Sequence, residues 1–159
     1  MSSHRLPRHV LPRRYDLNLR PDLSDHVFSG TVSIEVDVVD PVDALVLNAA
    51  ELSIHSATWT DAGGTADCAV DLDDDLEQVR LTPPGQVASG RGRLDLAFTG
   101  VLNDRLCGFY RSTLLDPDGT THAIATTQFQ ATDARRCFPC FDEPDMKAVF
   151  SVTLDVPGG

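Results

Sequence analysis

Apolar and polar residues alternate along almost the whole of this chain, with the period of two that marks an extended strand with one buried face. The clearest run places Phe28, Val32, Ile34, Val36 and Val38 on one side and Ser29, Thr31, Ser33, Glu35 and Asp37 on the other. Gly30 inside it predicts a bulge. Upstream, Tyr15, Leu17 and Leu19 alternate with Arg14, Asp16, Asn18 and Arg20, after Pro7 and Pro12 have broken up the opening stretch. Leu45 with Leu47, and Leu52 with Ile54, read as two short strands. Asp-Ala-Gly-Gly (61–64) reads as a turn after Trp59. Cys68, Val70 and Leu72 lead through the acidic turn 73–75 to Val79 and Leu81, the pattern of a hairpin that Pro83-Pro84-Gly85 ends. Leu94, Leu96 and Phe98 resume the alternation, and Phe150, Val152, Leu154 and Val156 form a last strand before Pro157-Gly158-Gly159.

About ten strand candidates at this spacing predict an all-β fold: antiparallel, curved sheets forming a saddle-like sandwich, with little helix. Helical periodicity is confined to residues 132–136, where Thr132 is expected to cap a turn and Asp133 to sit at its positive end. A length of 159 residues holds one domain, or two very small ones.

Charge narrows the partners. Thirteen Lys and Arg against 24 Asp and Glu leave −11, which repels phosphate backbones and anionic lipid heads, so neither nucleic acid nor a membrane surface is an expected partner. No apolar run approaches the roughly 18–20 residues that cross a bilayer. The first ten residues carry basic groups without an apolar stretch behind them, unlike a secretory signal, and a cytoplasmic setting is expected.

The usual hydrolytic traces are missing. There is no His-Glu-x-x-His, no Gly-x-Ser-x-Gly elbow and no phosphate-cradling glycine loop. His4, His9, His26, His55 and His122 are scattered, which suits surface or structural roles. The run 73–75 is a solvated turn or a calcium loop, though it lacks the spacing of a dedicated one. Cys68, Cys107, Cys137 and Cys140 are read as thiols. Cys137 and Cys140 form a Cys-x-x-Cys that leaves open half a zinc site or a redox pair. Gln128 and Gln130 stand two residues apart. On an extended chain they point to the same side, either to hydrogen-bond a ligand's peptide or amine groups or simply as solvated strand polarity.

Three runs carry a resemblance: Gly-Phe-Tyr-Arg-Ser (108–112), Ala-Thr-Thr-Gln-Phe (125–129) and Thr-Asp-Ala-Arg-Arg-Cys-Phe-Pro-Cys-Phe-Asp-Glu-Pro (132–144), followed by Lys147, Ala148 and Phe150. Together with Leu11-Pro12, Tyr15-Asp16-Leu17, Leu19-Arg20-Pro21 and Phe28-Ser29-Gly30, they resemble the N-terminal domain of the M1 zinc aminopeptidases over essentially the whole chain. The resemblance implies that residues 1–159 are the β-saddle domain of an enzyme that removes N-terminal residues from peptides. Its zinc, zinc ligands and general base would lie on a catalytic domain absent from this sequence, and the chain alone would be inactive.

The resemblance also implies substrate-binding residues. The family's Gln that lines the pocket for the first residue falls on Gln128. The acidic position two residues on, which helps hold the free amine, falls on Gln130, where most members have Glu; a branch containing leukotriene hydrolases shares the Gln. Arg135, Asp142 and Glu143 resemble the family's loop-holding residues, pairing with backbone and one another, and Tyr110 and Phe138 are expected to pack. A free-standing β-sandwich binding module is the reading from a different class.

Overall fold

A computed structural model describes residues 5–156; His4 and residues 157–159 lie outside them. The described residues form eleven strands: β1 Val10–Asp22, β2 Val27–Val38, β3 Leu45–Asn48, β4 Leu52–Asp61, β5 Gly64–Asp67, β6 Ala69–Asp73, β7 Gln78–Thr82, β8 Gly90–Val101, β9 Gly108–Leu115, β10 Thr121–Gln128 and β11 Val149–Leu154. Among the described residues the helical content is one 3₁₀ turn, Ala134–Arg136, and no helix is long and apolar enough to cross a membrane. The fold is all-β, as the alternation predicts.

Six strands make the main sheet in the order β11-β1-β2-β8-β4-β5, beside a three-stranded sheet β3-β7-β6 and the two-stranded β9–β10. Register explains why alternation matters: Ile34 pairs with Tyr15 on one side and Leu94 on the other, and Leu94 pairs with Trp59. The next inward row is Leu17, Val32, Leu96 and Ala57. A slip of one residue would turn every one of these side chains to solvent. The inward rows join Leu45, Leu47, Val79 and Leu81 of the three-stranded sheet, and Cys137, Phe138, Cys140 and Phe141, in one buried cluster. Each large side chain buried there contributes about 1.5–3 kcal/mol.

Four sequence expectations change. Gly30 is not a bulge: it pairs in register with Leu19 and Phe98, and an added Cβ would lie 2.6 Å from the Phe98 ring. The irregularities fall between Pro12 and Arg14, and between Ile54 and Ser56. The last strand is not antiparallel, because β11 pairs parallel with β1, placing Phe150 beside Tyr15 with the rings stacked at 4.5 Å. Cys68 lies between strands, donating its N–H to Ala57 O at 2.8 Å, and all of β6 is exposed. Thr132 caps nothing: the turn begins after Asp133, with no side-chain cap bond.

Candidate functional site

Gln128 ends β10, paired with Gly108 at the start of β9. The strand stops there, so the period-two geometry does not extend to Gln130, which stands in the following turn before a cis peptide to Ala131. Both glutamines are exposed, and neither side-chain amide is engaged by a partner among the described residues. Between them, Phe129 turns inward and meets the buried Phe138 edge to face at 6.0 Å, while Phe129 O accepts the Asp133 N–H at 3.0 Å.

Charge ties down the segment beyond the glutamines. Arg135 is 9% exposed; its Nε donates to Asp142 at 3.0 Å and its Nη1 to Glu77 at 3.2 Å. Arg136 donates from all three nitrogens: Nε to Asp133 at 2.9 Å, Nη1 to Glu51 at 2.5 Å and Nη2 to Glu77 at 2.6 Å. Burial opposes its charge. The Asp133, Glu51 and Glu77 carboxylates outweigh that cost and hold the guanidinium above its ordinary value. Glu77 thus bridges two consecutive arginines, and Glu51 is shared with Arg105.

Backbone contacts lock the same segment onto the three-stranded sheet. Asn48 and Cys140 exchange both N–H bonds, at 2.7 and 3.0 Å. The buried Asn48 side chain accepts the Asp142 N–H at 3.2 Å and donates to Glu77 O. Of the three residues expected to hold the loop, Arg135 and Asp142 pair with each other. Glu143 instead reaches the opening stretch, accepting the Leu6 N–H at 2.9 Å and facing Arg8 at 3.7 Å. Phe138 packs as expected against Tyr15 and Phe150, and Tyr110 is half-buried.

Sequence reasoning did not find Glu51, Glu77, Asn48 or the role of Arg136. Glu51 and Glu77 take left-handed backbone conformations, φ 58° and 52°, which nothing in their neighbours' sequence announces.

The Cys-x-x-Cys resolves as structure. Cys137 and Cys140 are 0% and 3% exposed; burial pushes the Cys137 thiol up to about 12 and Cys140 well above its ordinary value. Protonated thiols are poor ligands and nucleophiles. His9, His55 and His122 are exposed on the surface, each beside a single Asp or Thr oxygen. Asp73 accepts the Leu76 N–H in the β6–β7 turn. Among the described residues, no three His, Cys, Asp or Glu side chains converge as metal ligands, so a catalytic zinc does not fit them.

This geometry leaves two hydrogen-bonding amides exposed on a segment anchored just downstream by ion pairs. The family described as the peptidase M1 N-terminal domain matches residues 11–158. Among curated relatives, the chain is 50% identical over 153 residues to "Aminopeptidase M1-C" of Oryza sativa subsp. japonica, covering 96% of this chain and 17% of that protein. It is 43% identical over 158 residues to "Aminopeptidase M1" of Arabidopsis thaliana, covering 96% and 18%, and 42% identical over 153 residues to "Aminopeptidase 2, mitochondrial" of Saccharomyces cerevisiae, covering 94% and 16%. The chain therefore spans less than a fifth of the length of these relatives. With the match running through nearly every strand of the fold, the chain belongs to the peptidase M1 family, as its N-terminal domain.

Proposed function

We propose that this domain forms one wall of the substrate pocket of a zinc-dependent aminopeptidase, with Gln128 and Gln130 facing the free amine and first residue of a peptide. One observation carries the reading: two exposed amides with no internal partner among the described residues stand on a loop held upstream by the β9–β10 pairing and downstream by the largely buried Arg135–Asp142 pair and the half-buried Arg136–Glu77 pair. Solvated polarity needs no such mounting, whereas a recognition group needs its position held.

An amide oxygen accepts from an ammonium, and an amide NH₂ can donate to a peptide carbonyl. With Gln at position 130 the amine keeps a hydrogen bond and loses a carboxylate's charge. Removing one charge from a buried pair costs about 2–5 kcal/mol, with an isosteric amide near the lower end; that is about 30-fold in recognition. The zinc chemistry belongs to residues outside this chain, which by itself is inactive. A cytoplasmic setting is part of the same reading, since all four cysteines are free thiols.

A second reading, a binding module without enzyme activity, draws on the single self-contained core. One experiment separates the two. In the full-length polypeptide carrying this domain, Gln130→Glu is expected to raise kcat/KM for amino-acid amides by about 30-fold. An unchanged kcat/KM overturns the pocket reading. Tight binding of peptides by the isolated domain, which holds one wall only, favours the module.

A further inference from the structure

We propose that Arg136 is a positioning residue for the amine-binding loop, a three-way brace that sets where Gln128 and Gln130 stand. The inference rests on the pocket reading of those two glutamines. Arg136 meets the loop on both flanks. On the upstream side, Gln128 pairs with Gly108, whose backbone (φ +69°) lies so close to Arg136 that an added Cβ would come within 2.7 Å of the Arg136 Cβ. On the downstream side, Arg136 Nε holds the Asp133 carboxylate at 2.9 Å, and the Asp133 N–H holds Phe129 O at 3.0 Å. Phe129 is the residue between the two glutamines.

The remaining two nitrogens reach away from the loop. Nη1 finds Glu51 and Nη2 finds Glu77, residues 85 and 59 positions distant in sequence. Glu51 immediately precedes β4 of the six-stranded sheet, and Glu77 immediately precedes β7 of the three-stranded sheet. A single guanidinium therefore joins the loop to both sheets. A planar fork with donors in three directions can do this; a lysine ammonium on a flexible stem cannot reach the same three acceptors together. The arrangement does not touch the substrate. Its effect passes through the placement of residues 128–130, where a displacement of about 1 Å can cost 10²-fold in rate.

The test is a double-mutant cycle in the full-length polypeptide, assayed on amino-acid amides, with thermal stability measured in parallel. Arg136→Lys is expected to lower kcat/KM by about 10- to 100-fold, with KM rising more than kcat falls. Gln130→Ala is expected to lower it as well. The double variant is expected to be no worse than the weaker single variant, because a misplaced loop and a missing amide forfeit the same contact. Losses that multiply mean that Arg136 acts independently of the loop, and the proposal fails. If Gln130→Ala alone changes nothing, the pocket reading fails and the proposal with it. Should Arg136→Lys not fold, Glu51→Gln takes its place: Glu51 is half exposed, at 47%, and its variant removes the charge from one of the three acceptors. A smaller loss that again does not multiply with Gln130→Ala supports the brace; unchanged kinetics overturn it.

Discussion

The Tyr15 hydroxyl accepts the backbone N–H of Phe141 at 3.0 Å, joining β1 to a segment 126 residues further along the chain. Burial pushes the phenol's pKa up, so it stays a neutral acceptor. Tyr15→Phe keeps the ring and leaves a buried N–H without its partner, at a cost of about 1–3 kcal/mol. A fall in Tm of roughly 3–10 °C is expected, read by circular dichroism; an unchanged Tm means that the amide finds another acceptor.

Gly30 pairs across the middle of the main sheet, under the Phe98 ring. Its added Cβ would stand 2.6 Å from Phe98 Cζ and 2.9 Å from Asn18 O. Backbone cannot yield as a flexible side-chain end does, so Gly30→Ala is expected to destabilise by about 1–3 kcal/mol in urea unfolding. Gly85→Ala, with nothing within 4 Å, is expected to leave the midpoint in place. Equal midpoints for the two variants would contradict the close packing of ring on backbone.

Burial separates two ion pairs of the same chemistry, each an Arg with an Asp. Arg135 and Asp142 have side chains only 11% and 15% exposed, and Asp142→Ala would leave a nearly buried guanidinium with Glu77 alone. Breaking such a pair costs about 3 kcal/mol. Asp145 pairs with Arg8 at 2.6 Å in open solvent, and Asp145→Ala is expected to leave the unfolding midpoint unchanged. The comparison is a pair of denaturant curves, and similar losses for both variants would count against burial as the deciding factor.

The thiols give a pH prediction with a definite sign. The folded Cys137 pKa, about 12, lies above its ordinary 9.0, so between those values the native state holds a proton that the unfolded state has lost. Stability from this site is therefore complete below pH 9.0 and declines as pH rises towards about 12. At about pH 8, below the ordinary thiol range, iodoacetamide is expected to spare Cys137 and Cys140 in the folded chain and to modify both after unfolding, as read by mass spectrometry. Rapid native labelling of either one would contradict their burial.

Much of this was legible from residue order. Alternation located β1, β2, β7 and β8, and the turns at 61–64 and 73–75 stand where Gly and Asp chemistry put them. The two glutamines stood out as unexplained polarity. Arg135 and Asp142, seven residues apart, were expected to hold the loop from the family resemblance, and they pair. Glu77 could not be paired in advance, because its partner Arg135 is 58 residues away and the left-handed backbone that aims it has no signature in the adjoining sequence. Gly30 misled for a related reason: a glycine in a strand marks either a bulge or a close neighbour, and the neighbour, Phe98, arrives from a strand far along the chain.

Sequence alone determined that β1, β2, β7 and β8 would be extended and which face of each would be buried, because period-two alternation is a property of a single strand's own backbone geometry; the same alternation in β6 and β11 ends exposed. Sequence also determined membership of the family, since the 132–144 run is contiguous. Tertiary structure decided which strands met, including the parallel pairing of β1 with β11, and which carboxylates reached Arg135 and Arg136. Those choices depend on distances through space between residues tens of positions apart, and they arise only once the sheets have packed.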